Sequence, residues 1–384
     1  TRAGYDTVLV EARSSVGGCA STVKDLGARF NICNCDHTLI RAMPLIDELE
    51  LAGHGLDYLE NEVSGVYAFH DDHQPWLFFH EVEATIDSLA QSVPAEVDNF
   101  RRYVDDALPV ARLVLEMART PPTTTAITRR TLAHRSPGAT RRLIQWSRLS
   151  LNDVLAQYFD DWHVTMPLVS VGPTVWGVAP DVPGTGLAAL GYASRFLVRT
   201  GRPRGGSGAL PSAINKSFEA AGGRVLCDSR VSELIVDDGV MAGVRLDDGT
   251  RLDAPVVVAA CDPQRVFVDW INDPPPSARK VVERWKSRPV LDGYESKVDA
   301  VLSEAPTHGG SARLSPGLEL LGPTTVVSPS PEQLIKAHRL RSEGTVAAAP
   351  TFLFNMPSVL DDQMRTPKGE HVLSLEALFT PYEL

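Results

Sequence analysis

Thr7-Val8-Leu9-Val10-Glu11-Ala12-Arg13-Ser14-Ser15-Val16-Gly17-Gly18-Cys19-Ala20-Ser21-Thr22 is the stretch on which the fold turns. Thr7 to Val10 is a short, apolar, β-branched run of the kind that forms a buried parallel strand. Just before it, Thr1-Arg2-Ala3-Gly4-Tyr5-Asp6 reads as a helix end, with Gly4 as its left-handed cap. A parallel strand fed by a helix belongs to a βαβ unit, so roughly 25–30 residues carrying an earlier strand and turn are expected upstream. Glu11 lies just past the strand tip, where an acid can receive the two hydroxyls of an adenosine ribose, or can simply be solvated. The Gly-rich turn that such an acid follows by about 20 residues would fall in the expected upstream segment. Paired glycines at Gly17-Gly18 let the backbone approach a pyrophosphate, and Arg13 and Thr22 can complement its charge.

Acid, base, paired glycines and a hydroxyl residue together match the second flavin fingerprint. The stretch resembles the FAD-binding start of the phytoene-desaturase and amine-oxidase superfamily. Later segments are similar to the desaturases in particular. These are Arg202-Pro203-Arg204-Gly205-Gly206-Ser207-Gly208-Ala209-Leu210, Val257-Val258-Ala259-Ala260-Cys261-Asp262-Pro263, and Met356-Pro357-Ser358 followed by Thr366-Pro367-Lys368-Gly369-Glu370-His371. Gly222-Gly223-Arg224-Val225 through Val231-Ser232-Glu233-Leu234 resembles the strand pair whose backbone, here at Val231, holds the adenine. The resemblance implies FAD as cofactor, with Glu11, Ala12, Arg13, Gly17, Gly18, Thr22 and Val231 around it. The family's N-terminal GxGxxG loop and its C-terminal Gly-rich segment have no counterpart, and the chain stops at Tyr382-Glu383-Leu384 directly after a strand. A piece truncated at both ends is therefore expected, with cofactor roles belonging to the intact parent.

The resemblance implies an α/β architecture, a Rossmann-like FAD-binding domain interleaved with an α+β substrate domain. Residues 1–63 and 205–285 are assigned to the first, and 64–204 and 286–384 to the second. Val97, Phe100, Val104, Ala107, Leu108, Ala111, Leu115 and Ala118 recur at helical spacing and predict one long amphipathic helix. Two Asp-Asp-Gly turns predict a meander through Val231–Val236, Val240–Leu246 and Thr250–Leu252. It should feed a buried parallel strand over Pro255-Val256-Val257-Val258-Ala259-Ala260. Strands are also expected at 297–302, 351–355 and 371–379, and helices at 277–286 and 331–342.

The chain has 384 residues, 43% hydrophobic and 22% charged, enough for two domains and unlike a disordered composition. A net charge of −11 argues against nucleic acid as partner. Five sparse cysteines, Cys19, Cys33, Cys35, Cys227 and Cys261, read as reduced thiols in a cytoplasmic setting. Cys33-Asn34-Cys35 lacks a second ligand pair at zinc spacing and reads as small buried residues.

Phe30-Asn31-Ile32-Cys33-Asn34-Cys35-Asp36-His37-Thr38 matches in position the family segment that passes near the flavin. The family's Asp-x-Gly pattern is replaced there by Asn31, Cys33 and His37. His37 is the catalytic candidate, a proton relay because histidine titrates near neutral pH, or else a hydrogen-bonded pocket residue. No acid occurs between Glu116 and Asp153, where Arg119, Arg129, Arg130, Arg135, Arg141, Arg142 and Arg148 alternate with Leu143, Ile144, Trp146 and Leu149. Such a stretch either docks on an anionic membrane or pairs with the acidic body of the protein or a partner subunit. Docking requires those four apolar residues to share an exposed face.

The resemblance implies hydride transfer from an apolar small-molecule C–H substrate to flavin N5, with oxygen or a quinone as electron acceptor. Flavin-dependent amine oxidation and redox-neutral polyene isomerisation are the neighbouring alternatives. A non-catalytic binder of isoprenoids or lipids, resembling Rab GDP-dissociation inhibitors, is the alternative of another class. Retention of Glu11, Gly17, Gly18 and Thr22 together argues against it.

Overall fold

The computed structural model describes residues 1–33, 35–134, 136–288, 295–306 and 317–382. Asn34 and Arg135 lie outside the described residues. Packing divides the chain into two units, one formed by 1–18 with 211–292 and the other by 19–210 with 293–384. Residues 19–63, grouped by function with the cofactor domain above, thus pack within the larger unit.

In the smaller unit, Val8–Val10 pairs in parallel with Arg224–Leu226, with Leu9 beside Val225. The strand forms where expected but is not buried, and Leu9 is 39% exposed. A two-stranded ladder has too little area to cover either of its faces. Gly4 takes the left-handed conformation, φ +86°, and its N–H closes a turn onto the Thr1 carbonyl at 2.7 Å. The meander is antiparallel over Val231–Asp237, Val240–Leu246 and Arg251–Asp253. Its first turn has positive φ at both Asp238 and Gly239, the two-residue geometry whose twist matches that of paired strands. Leu234, Val244 and Val266 form the buried core beneath it.

The expected buried strand at Pro255–Ala260 is absent. Val256 and Val258 are 74% and 86% exposed, and only Val257 turns toward the Leu234 cluster. An apolar run becomes a parallel strand only where a neighbouring strand satisfies its backbone, and no described residue pairs with this one.

The larger unit is built on a six-stranded sheet. Its strands lie side by side in the order Glu295–Leu302, His371–Leu378, Phe352–Asn355, Thr324–Ser328, Val63–Phe69 and Trp76–Phe79. Neighbours are antiparallel except Thr324–Ser328 and Val63–Phe69, which run parallel. Helices cover one face. Val97–Ala118 buries Phe100, Tyr103, Val104, Ala107, Val110 and Ala111, close to the predicted stripe. These pack with Tyr67, Trp76 and Phe78 of the sheet and with Tyr192 in one aromatic core.

The arginine-rich stretch folds as helices Thr124–Ala133 and Pro137–Trp146. Trp146 is buried at 1% exposure, and Leu143 and Leu149 pack against the core, leaving only Ile144 half-exposed. The shared apolar face that docking needs is therefore not formed. Arg142 pairs with Asp106 at 2.5 Å, Arg130 with Glu116 at 3.4 Å, and Arg119 donates to the Ala42 carbonyl at 2.6 Å. Glu116 borders the stretch and Asp106 lies ahead of it, so only the fold shows which arginines they pair with. No described helix is long and apolar enough to cross a membrane.

Candidate functional site

The Val8–Val10 strand delivers Glu11 at its carboxyl end, the end at which parallel sheets bind ligands. The Glu11 N–H continues the ladder to Leu226 O at 2.8 Å. One carboxylate oxygen, Oε1, accepts the Arg13 backbone N–H at 2.8 Å, while no described residue engages the other. The chain then turns through Ser14 and Ser15, and the Arg13 guanidinium donates to Gly18 O at 3.2 Å. Gly17 and Gly18 both have positive φ, +128° and +53°, and a Cβ on Gly18 would meet nothing within 4 Å. The turn is thus an open backbone cradle rimmed by an arginine. From the other side, Ser229 N–H bonds Glu11 O and Asp228 N–H bonds Arg13 O, both at 2.9 Å. This brings the start of the Val231 strand to the same strand tip. Glu11, Ala12, Arg13, Gly17, Gly18 and Val231 therefore converge in one unit. A free carboxylate oxygen, an open glycine turn and a nearby strand edge fit the adenosine and pyrophosphate parts of a dinucleotide.

Thr22 and His37 belong to the larger unit. The Thr22 hydroxyl donates to Asn31 Oδ1 at 2.9 Å and accepts the Gly208 N–H at 2.9 Å. It ties the Thr22–Asp25 and Ala28–Asn31 hairpin to the Arg202–Gly208 segment. Gly206 is required there: φ is +98°, and a Cβ would lie 2.4 Å from Thr22 Oγ1.

His37 is half-buried, with Nδ1 2.9 Å from Tyr58 OH and Nε2 3.3 Å from Ser207 Oγ. Its backbone exchanges hydrogen bonds with Gly201, 2.9 and 3.0 Å. Burial lowers its pKa, Asp36 opposes that, and Arg41 adds to it. The ring is thus a neutral one, fixed between two hydroxyls.

Beside it, Asp36 meets Arg202, whose Nε is 2.6 Å from Asp36 Oδ1. Arg202 is 4% exposed and also donates to Gly322 O and, at 3.3 Å, to Thr324 Oγ1. Thr324 in turn donates to Asp36 Oδ2 at 2.6 Å. Burial alone would raise the Asp36 pKa, but the guanidinium beside it holds the carboxyl below its usual range. Cys35 is buried, donates to Asn355 Oδ1 at 3.6 Å, and has its thiol pushed up to about 12 by burial. Burial, with Cys19 next to it, pushes Cys33 up to about 11. Both thiols are therefore protonated at neutral pH, unlike nucleophilic or redox cysteines.

One group of residues escaped the sequence reading. Cross-strand register places Lys297, Glu376 and Leu353 in one row of the sheet, and Asp299, Ser374 and Asn355 in the next row of the same face. Lys297 Nζ reaches Asn31 O at 2.8 Å and Asp299 at 2.5 Å. This polar end of the sheet face therefore lies over the Asn31–Asp36 segment. Alternation within 371–378 could have flagged Glu376 as inward-facing, but only pairing shows its neighbours.

The glycine turn after a parallel strand and its terminal acid thus lie in a protein of mixed α/β fold. The chain belongs to the flavin containing amine oxidoreductase family, whose sequence profile matches residues 1–291. That membership implies a flavin cofactor. A limonene dehydrogenase polypeptide of Castellaniella defragrans is 24% identical over 279 residues, 71% of this chain and 50% of that protein. Pyridine nucleotide-disulfide oxidoreductase domain-containing protein 2 of Mus musculus is 25% identical over all of this chain and 71% of its own length. A lycopene-forming phytoene desaturase of Pantoea ananas is 25% identical over 72% of this chain and 55% of its own. The chain thus spans half to about 70% of these curated relatives. Among solved structures, putrescine oxidase bound to putrescine superposes with a TM-score of 0.56 at 16% identity, covering 98% of this chain and 71% of that one. A Rab GDI from Plasmodium falciparum superposes at 0.53 and 11% identity, over 98% and 78%. At these identities the structural likeness speaks for the fold.

Proposed function

We propose that the intact protein is an FAD-dependent oxidoreductase that removes hydride from a substrate C–H bond. The observation that carries this reading is the Glu11–Gly18 turn, with a carboxylate oxygen left free at a parallel strand tip, in a chain of the flavin family. Bound FAD would supply the hydride acceptor. Glu11 would hold the ribose hydroxyls, Val231 the adenine through its backbone, and Arg13 with Gly17 and Gly18 the pyrophosphate. Thr22 would fix the hairpin against the Gly206–Gly208 loop, and His37, between Tyr58 and Ser207, is placed to pass a proton. An apolar substrate is favoured by relatives named for limonene and phytoene, and oxygen or a quinone would reoxidise the flavin. Amine oxidation is the second reading, favoured by the carboxylates of Glu295, Asp299 and Glu376 along one sheet face.

Purification of the full-length protein, heat release of any yellow cofactor and its chromatographic identification test the reading. FAD in near-stoichiometric amount is expected. A colourless protein that neither holds nor takes up FAD would favour a binding role like that of the Rab GDI fold.

A further inference from the structure

The polar end of this sheet face carries two carboxyl groups, exposed Glu295 and half-buried Glu376, that no described residue engages by a hydrogen bond or ion pair. Lys297 gives its ammonium to Asn31 O and to Asp299, and Ser374 donates to Asp299 Oδ1 at 2.8 Å. Asp36 is taken by Arg202 and Thr324. Glu376, directly across from Lys297 and half-buried, has no hydrogen bond or ion pair to any described residue. Toward the other end of the same face the row becomes apolar, through Leu353 and Val326 to the aromatic core around Tyr67. Glu376 therefore stands where the polar end of this face meets the buried apolar core, over the segment that the resemblance places near the flavin.

We propose that Glu376 is the catalytic base that takes the substrate's proton, on the sheet face that looks onto the Asn31–Asp36 segment. This rests on the oxidoreductase reading above. The substrate carbon gives a hydride, with its electron pair, to the flavin as oxidant. The neighbouring X–H bond, X being carbon or nitrogen, breaks heterolytically. Its electron pair becomes the second bond of C=X, and its proton goes to the Glu376 carboxylate and then to solvent. Two electrons and two hydrogens leave the substrate, which balances one flavin reduced and one proton released.

The electrostatics suit that task. Burial raises the Glu376 pKa, Glu295 raises it further, Lys297 pulls it back, and Asp299 and Asp36 add to the rise, bringing it to about 7. Among the described residues, the thiols of Cys33 and Cys35 also interact electrostatically with it, and both are neutral at this pH. A base near neutrality is populated in the accepting form while still holding a proton well, the condition for efficient general base catalysis.

The test uses the full-length, flavin-loaded protein and two probes, limonene and putrescine. Anaerobic reduction of the flavin by whichever probe reacts is expected to speed up as pH rises through about 7. Glu376→Gln should lose that rise and react about 10²-fold more slowly at pH 8, with flavin content unchanged. Glu295→Gln, which removes a repelling charge, should move the rise to lower pH. Independently of turnover, ¹³C NMR of glutamate-labelled apoprotein should show one side-chain carboxyl titrating near 7 that vanishes in Glu376→Gln. An unchanged rate and pH profile in Glu376→Gln overturns the base role while leaving the oxidoreductase reading intact, and so does the absence of such a resonance. A flavin that neither probe reduces overturns both.

Discussion

Replacing Arg202 by Met should destabilise the larger unit more than any surface change. The guanidinium is almost fully buried and serves three acceptors, Asp36 Oδ1, Gly322 O and Thr324 Oγ1. Methionine fills much of the volume but leaves the Asp36 carboxylate buried without its counter-charge and the Gly322 carbonyl without its donor. Breaking one side of a buried pair costs about 3–5 kcal/mol, whereas replacing both sides is far milder. For a body of this size, about 2–4 °C is lost per kcal/mol, so the melting temperature should fall by about 6–20 °C. Asp36→Asn in the same background should recover part of that loss, because the stranded charge is gone. The pH dependence follows from the depressed Asp36 pKa. The pair's contribution is fully present above the ordinary aspartate range and is lost as pH falls through the lower folded value. Acid sensitivity of wild type below about pH 4 should thus be weaker in Asp36→Asn. Urea melts of the two single variants and the double variant check the reasoning. A loss below about 1 kcal/mol in Arg202→Met, or strictly additive effects, would refute it.

Glu11→Ala in the full-length protein should weaken FAD binding by about 10- to 100-fold, the value of a charge-assisted hydrogen-bond pair of about 1.5–3 kcal/mol, measured by fluorescence titration of the apoprotein. Gly206→Ala should cost about 1–3 kcal/mol in chemical denaturation, since φ of +98° and contact with Thr22 both oppose a Cβ. Trp146→Ala should cost about 3–5 kcal/mol by opening a cavity under Tyr158, whose ring is 6.2 Å away. The same thermal melts, run beside sedimentation with anionic liposomes, separate a core role for Trp146 from a membrane role, since only the latter predicts loss of liposome binding in a folded Ile144→Ser variant.

Local chemistry was readable wherever a residue's conformation depends on its immediate neighbours. Gly4 takes its left-handed φ, the Asp-Gly step makes its hairpin, and Val97–Ala118 forms its helix because spacing, capping and turn sterics act over a few residues. The glycine turn after Glu11 belongs to the same class. The strand expected at Val256–Val258 failed for the opposite reason: composition shows what could enter a sheet, but only a partner's backbone makes a strand. Val63–Phe69 and Trp76–Phe79 were not among the expected strands, because Gly65 and a short unbroken Trp-Leu-Phe-Phe run give no clean alternation. Alternation within 371–378 could have pointed Glu376 inward, but nothing local could have shown its surroundings. Its neighbours Lys297 and Asn31 are set by register and by folding of segments hundreds of residues apart.

The parallel pairing of Val63–Phe69 with Thr324–Ser328 has a consequence for synthesis in the cell. Thr324 follows its partner Gly65 by about 260 residues, and all of the smaller unit's C-terminal segment is made in between. At about 5–20 residues per second, the ribosome takes roughly 13–50 s to supply that partner. During this interval the hairpin of Val63–Phe69 and Trp76–Phe79 presents an unpaired, strongly apolar edge, the kind that recruits foreign strands. The helices from Val82 to Leu197 emerge first and can cover its face, but they cannot satisfy its edge. Nascent chains stalled before residue 324 should therefore depend on holding chaperones, and a chain truncated before Thr324 should yield aggregates rather than a smaller soluble body.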